Sequence, residues 1–334
     1  MSITSIGDLT TSLLLRQRNA GLRADMARIS EELVSGRVAS VAGRVQGNFR
    51  AVTGIEQSLA RLATHDLIAR ETASTAGAMQ TVLDAIGGIA GDEAADLLLM
   101  SVSASEFQIG NTGEKAAAAF TSMVEKLNTQ FAGRAIFAGV GSDSSALSDA
   151  GAMLDALRAA VSGAGTAADV LATVDAWFSP GGEYNTFMNP GAETPLADIS
   201  VSADRKATLD TTVSSRAVRD VLRGMAAAAL VDEGLLPAQP DEQRHLARAA
   251  GEMLLSAREG LVVAQARIGQ AQEQIDLAST EIAAERDAMT LALAKLLDVD
   301  TSEAATELQQ VEAQIELLYM LTARAANMKL TDYL

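Results

Sequence analysis

The sequence predicts a mainly α protein: a long antiparallel helical, coiled-coil bundle formed by the N- and C-terminal regions, with a small α+β insert in the middle. Three observations carry this expectation. Residues 260–297 place a large apolar side chain at every seventh position. All five prolines fall between residues 180 and 240, leaving both flanks free of them. Apolar residues make up 48% of the chain but aromatics only 3%, so Ala, Leu, Val, Ile and Met must form the core. Slender side chains of this kind suit helix packed closely on helix.

The seven-residue row is Leu261, Ile268, Ile275, Ile282, Met289 and Leu296, the expected bundle seam. Three positions after most of these sit Ala264, Ala271, Ala278 and Ala292, with Glu285 as the one gap. Such a period marks a helix that packs along another helix, and the small row lets the two backbones approach. A helix of this length is a rod of roughly 55 Å. Its stripe stays open unless a partner of similar length covers it.

The rest of the chain is read around that rod as five segments. Residues 1–40 form an N-terminal assembly helix, with Ile6, Leu9 and Leu13 as one stripe and Leu15, Leu22, Met26, Ile29 and Leu33 continuing toward a stop at Gly36. Residues 41–139 form the N-terminal half of the bundle plus a β-hairpin. A second long helix is expected over 45–105, read from Ile55, Leu59, Leu62, Ile68, Met79, Val82, Leu83 and Ile86, with Gly87, Gly88 and Gly91 marking an interruption or bend. A third helix follows over 114–131, then the β-prone run Gly133-Arg-Ala-Ile-Phe137.

Residues 140–213 are the outer α+β insert, with short helices over 150–162 and 167–178 and strands over 197–201 and 208–213. Residues 214–297 return to the bundle as its C-terminal half, through a helix over 215–230 and another restarting at Asp241. Residues 298–334 are the C-terminal assembly helix, capped by Thr301 or Ser302. It carries Leu308, Val311, Ile315 and Leu318 at alternating spacings of three and four, and closes on Tyr333 and Leu334. Residues 1–50 have a net charge of +3 and residues 285–334 a net charge of −5, which favours pairing of the two ends within one molecule or between neighbours.

Catalytic and ligand-binding chemistry is absent from the pattern. A net charge of −17 opposes nucleic-acid binding and adhesion to an anionic membrane. No stretch reaches the length and apolarity of a membrane span. Cysteine is absent, so neither a disulfide framework nor a thiolate metal site exists. Residues 1–15 lack the cationic start and apolar run of a cleaved secretory signal.

The two histidines, His65 and His245, fall in separate helices and are expected on solvated faces. Asp298, Asp300 and Glu303 lack the twelve-residue run and central glycine of a calcium loop. Gly139-Val-Gly141 lacks the remaining residues of a phosphate loop. Trp177 and Phe178 read as core of the insert. No catalytic, cofactor-binding or metal site is expected, and no cofactor.

Met26-Ala-Arg-Ile-Ser30 with Leu33-Val-Ser-Gly-Arg37 resembles the start of bacterial flagellins and their hook-associated relatives. Gly133-Arg-Ala-Ile-Phe-Ala-Gly139 resembles the hairpin that follows the third helix there. Leu330-Thr-Asp-Tyr-Leu334 is similar to the Asp-Tyr-Leu-type ending of the hook–filament junction branch of that superfamily. One feature departs from the pattern: the segment Ala39-Ser-Val-Ala-Gly-Arg-Val45 has no acid where many members carry a pair of aspartates.

The resemblance implies an extracellular structural protein of the flagellum, exported unfolded by the flagellar type III apparatus with an uncleaved signal. Its implied partners are copies of itself, a neighbouring hook-associated protein, flagellin and an export chaperone, with no nucleic acid and no membrane insertion. Subunit packing is expected to involve Ile6, Leu9, Leu13, Leu22, Leu308, Val311, Ile315, Leu318, Tyr333 and Leu334, and the first ~35 and last ~30 residues are expected to order on assembly. A filament-forming flagellin shares this architecture but differs in abundance and position, and flagellins usually end differently. Acidity and heptads alone also fit a cytoplasmic coiled-coil signalling or chaperone protein.

Overall fold

The computed structural model describes residues 4–103, 106–231, 235–236 and 239–331, and their side chains apart from those of 4–9, 11–12, 103, 106–110 and 325–331. The protein is mainly α, as its sequence predicts. Its helices are α1 (Thr4–Ser35), α2 (Val41–Arg44), α3 (Arg50–Ser103), α4 (Glu106–Leu127), α5 (Ala150–Val161), α6 (Ala167–Trp177), α7 (Tyr184–Phe187), α8 (Arg216–Ala229), α9 (Pro240–Leu297) and α10 (Thr301–Thr331). Two antiparallel two-stranded ribbons accompany them: β1 (Gln130–Phe131) with β2 (Arg134–Ala135), and β3 (Ile199–Ser200) with β4 (Lys206–Ala207). The chain divides into two compact units, Met1–Leu62 with Ala284–Leu334, and Ala63–Ala283.

In the second unit α3 and α9 run antiparallel. The Gln80 side-chain amide donates to the Gln265 carbonyl at 2.7 Å, Gly87 faces Leu261, and Gly251 faces Ala94 and Leu98. Leu261, Ile268, Ile275 and Ile282 are all buried, and so are Ala264, Ala271 and Ala278. The facing helix carries a heptad of its own: Ala69, Ala76, Leu83, Ala90 and Leu97 are each fully buried. Small residues on both helices are what allow this approach. α4 and α8 complete a four-helix core against α3 and α9, and Gly224 abuts Leu254 where α8 crosses α9.

Four sequence expectations need correction. Gly87, Gly88 and Gly91 do not interrupt α3, which is continuous from Arg50 to Ser103. Gly87 and Gly91 sit where Leu261 and the Arg258 guanidinium come close, so they provide clearance for side chains of α9. The helix begins at Arg50, after the separate short helix α2 and a turn in which Gln46 and Gly47 have φ of 49° and 78°. The segment 208–213 is not a strand; β3 pairs with Lys206–Ala207, and the residues that follow are fixed by Val213 N–H on the Phe137 carbonyl and Thr212 Oγ1 on the Ala192 carbonyl. The cap of α10 is Asp300, whose Oδ1 accepts from Ser302 and Glu303 N–H, one position before the residues the sequence suggested.

The hairpin β1–β2 turns through Ala132 and Gly133, both at positive φ, as a two-residue connection requires. α5 is capped by Asp149, and α6 by a Thr166–Asp169 capping box. Trp177 and Phe178 are buried, as expected, in a cluster with Tyr184 and Phe187. Arg219 of α8 holds this cluster by donating to the carbonyls of Phe178 and Ser179 while lying 5.1 Å above the Tyr184 ring.

Tyr184 gives a test by pH. Its hydroxyl donates to the Val213 carbonyl at 2.9 Å, and burial raises its pKa well above that of a free phenol. A raised folded-state pKa means that the unfolded chain loses this proton first. The stability Tyr184 contributes is therefore complete below about pH 10 and declines above it. In an absorbance titration Tyr184 is expected to ionise only as the second unit unfolds; ionisation ahead of unfolding would show that the hydroxyl is accessible.

Candidate assembly surface

The first unit is built on α1 and α10, and the sequence decides how they meet. α1 ends at Gly36, whose φ of 68° favours glycine. Beyond it the chain turns back across the junction of α9 and α10. Val38 N–H donates to the Leu297 carbonyl at 2.9 Å, and Val299 N–H to the Gly36 carbonyl at 3.1 Å. Glu32, 8% exposed, ties this turn to its own helix by accepting Ala39 N–H at 2.9 Å and Arg28 Nη1 at 3.1 Å. Arg28 reaches across to Glu307 at 3.4 Å, and Arg23 donates to the Tyr319 hydroxyl at 2.6 Å. Residue 23 facing 319 and residue 37 bridging 298 make the pairing antiparallel. That hydrogen bond from Arg23, joined by one from Asn19, lowers the pKa of Tyr319.

Between these polar ties lies a narrow apolar seam. Ile29, Ala304 and Val311 are buried in it, with Leu22, Leu33, Val299, Leu308 and Ile315 packed around them. Leu318 is also buried. Leu22, Leu308, Val311, Ile315 and Leu318 are thus covered within one molecule, whereas Leu13 is 66% exposed. The side chains of Ile6 and Leu9, together with Tyr333 and Leu334, lie outside the described residues. Of the α9 row, Met289 and Leu296 are half-buried in this unit.

A second set of apolar side chains on the same two helices has no cover. Leu14 and Val34 on α1, and Leu317, Met320 and Leu321 on α10, are each more than half exposed. The sequence reading passed over these residues because it followed a single stripe. On α10 the exposed set at 317, 320 and 321 repeats the spacing of three and four just as the buried set does. A helix apolar on two sides has one more face than a pair can bury.

The histidines play no part in this surface. His245 is exposed on α9, and His65 is half-buried on α3 with its Nδ1 enclosed and lacking a hydrogen-bond partner. Among the described residues, no group of His, Asp and Glu is placed to hold a metal ion, and no helix is long and apolar enough to cross a membrane.

No curated protein matches the chain. Residues 252–334, which take in most of α9 and all of α10, match the family model described as the bacterial flagellin C-terminal helical region. That match likens the last quarter of the chain to the C-terminal helical region of bacterial flagellins.

Proposed function

We propose that this chain is the adaptor between hook and filament and that it packs against copies of itself through α1 and α10. The observation that carries the junction position is the Leu330-Thr-Asp-Tyr-Leu334 motif, similar to that of the junction branch. The uncovered apolar faces of the two helices support the packing: Leu13, Leu14, Leu317, Met320 and Leu321 face solvent on helices already joined through Ile29 and Val311. Neighbouring copies would cover them. In this reading the chain leaves the cell by the flagellar export route with a chaperone and stands between another hook-associated protein and flagellin.

The match to the flagellin C-terminal region favours a second reading, a flagellin that builds the filament itself. Immunogold labelling of sheared flagella with an antibody raised against residues 140–213 separates the two. A narrow band between hook and filament is the expected result. Label along the whole filament would replace the junction assignment with the second reading, and unlabelled flagella would overturn both.

A further inference from the structure

The second row of the α3 heptad runs Thr72, Met79, Ile86, Glu93 and Met100, and its fourth member is a carboxylic acid. Glu93 is 2% exposed, like the apolar residues before it in the row. A polar group in such a seam costs stability and fixes how the helices align. α4 lies antiparallel along this side of α3: Lys115 faces Glu93, and Thr112 donates to the sulfur of Met100 at 2.8 Å. The acid is only half satisfied there. Its Oε2 lies 3.7 Å from Lys115 Nζ, while its Oε1 is buried with no hydrogen-bond partner.

The lysine is committed elsewhere, since Lys115 Nζ donates to Asp96 at the rim of the bundle. The charged groups acting on Glu93 are therefore Lys115 from α4 and Asp96 from the next turn of α3. On the α9 side, Arg258 sets its guanidinium over Gly91. The α8 arginines are engaged away from Glu93: Arg216 with Asp220, Arg219 with the carbonyls of Phe178 and Ser179, and Arg223 with Asp175.

We propose that Glu93, with Asp96 and Lys115, is a proton-responsive pin between α3 and α4: the ionised carboxylate loosens this end of the four-helix core, and protonation tightens it. A buried carboxylate with one bare oxygen is costly when charged, and its removal from water is the main cause that raises its pKa. The negative charge of Asp96 adds to that rise, and Lys115 opposes it. The folded state therefore holds this proton more tightly than the unfolded chain does. The stabilisation is complete below the ordinary glutamate range and is lost as pH rises through the elevated folded-state value. One such group changes an opening equilibrium by at most about tenfold per pH unit.

The test is hydrogen exchange on the full-length monomer, followed for peptides of α3 and α4 at acidic and neutral pH. Glu93→Gln at the same pH cancels the intrinsic pH dependence of exchange. From acid to neutral, the opening constant of α4 is expected to rise several-fold more in the natural protein than in the variant, and the variant is expected to be the better protected at neutral pH. Equal pH dependence in the two, or weaker protection of Glu93→Gln at neutral pH, would overturn the proposal. Should Glu93→Gln fail to fold, Asp96→Asn removes the like charge and frees Lys115 for Glu93. The transition must then move to lower pH, and an unmoved transition is equally fatal. The readout needs no assembled flagellum, so it stands or falls apart from the junction reading.

Discussion

Val311→Asp is expected to stop incorporation into flagella while leaving the unit Ala63–Ala283 folded. Val311 is 7% exposed and packs with Ile29 and Ala304 in the seam between α1 and α10. A carboxylate there replaces an apolar side chain in an apolar seam, and burying it costs about 3 kcal/mol or more, which is a loss of roughly a hundredfold in pairing. Ile315→Asp, in the same seam but half-buried, is expected to act in the same direction with a smaller effect. Both are read by quantifying the protein in sheared flagella and by following the melting of the second unit separately. Leu317→Ser completes the set, because Leu317 is 55% exposed and its loss leaves the seam intact. If contacts between copies use the uncovered face, this variant assembles poorly from a monomer of normal stability. Normal flagella from all three variants would remove α10 from the assembly surface.

The second large effect is expected at Gly191. This residue crosses Gly141 so closely that a Cβ added to it would overlap the Gly141 backbone, and one added to Gly139 would overlap the Gly191 and Thr194 carbonyls. Gly139 also has a φ of 55°, a conformation that disfavours a side chain. Asn189 locks the crossing, accepting Gly191 N–H at 2.9 Å and donating to the Gly141 carbonyl at 2.8 Å. Backbone facing backbone cannot give way as a flexible side chain can. Gly191→Ala is therefore expected to cost about 3 kcal/mol or more and to lower the melting temperature of the second unit by roughly 10 °C. Gly163→Ala, with open space around it, serves as the control and is expected to be neutral or mildly stabilising. Equal behaviour of the two variants would show that the crossing is not held as described.

Large apolar residues made the α9 seam legible in the sequence, and on its partner helix they marked Leu62, Met79, Val82, Leu83 and Ile86, all buried, but not the alanines between them. At the N-terminal end of that stripe the large residues Ile55, Leu59 and Ile68 are only half-buried, while Ala69, next to Ile68, is completely covered. Alanines at heptad positions carry little signal one at a time, since alanine is common on every helix face. The glycines of α3 misled in a related way. Without knowledge of Leu261 and Arg258 across the interface, clearance for a neighbour looks identical to a break. Short helices with caps written beside them, Asp149 for α5 and Thr166 with Asp169 for α6, were placed to within a residue or so. The segment 208–213 alternated like a strand, but its hydrogen bonds go to the Phe137 and Ala192 carbonyls, a long-range choice that local pattern does not encode. On the candidate surface, the buried stripe of α10 was legible and the exposed one was overlooked.

The turn after α1 has no acid of its own, yet it is not without one. Glu32, seven residues earlier, reaches forward to the Ala39 amide while Arg28 steadies it from behind. The anchor therefore belongs to the helix, and helix and turn form a single lever. A push along α1 would be delivered through Val38 and Gly36 to the elbow between α9 and α10 instead of being absorbed in a slack loop. Shortening Glu32 to aspartate would leave the charge in place but uncouple the two, turning a rigid joint into a compliant one.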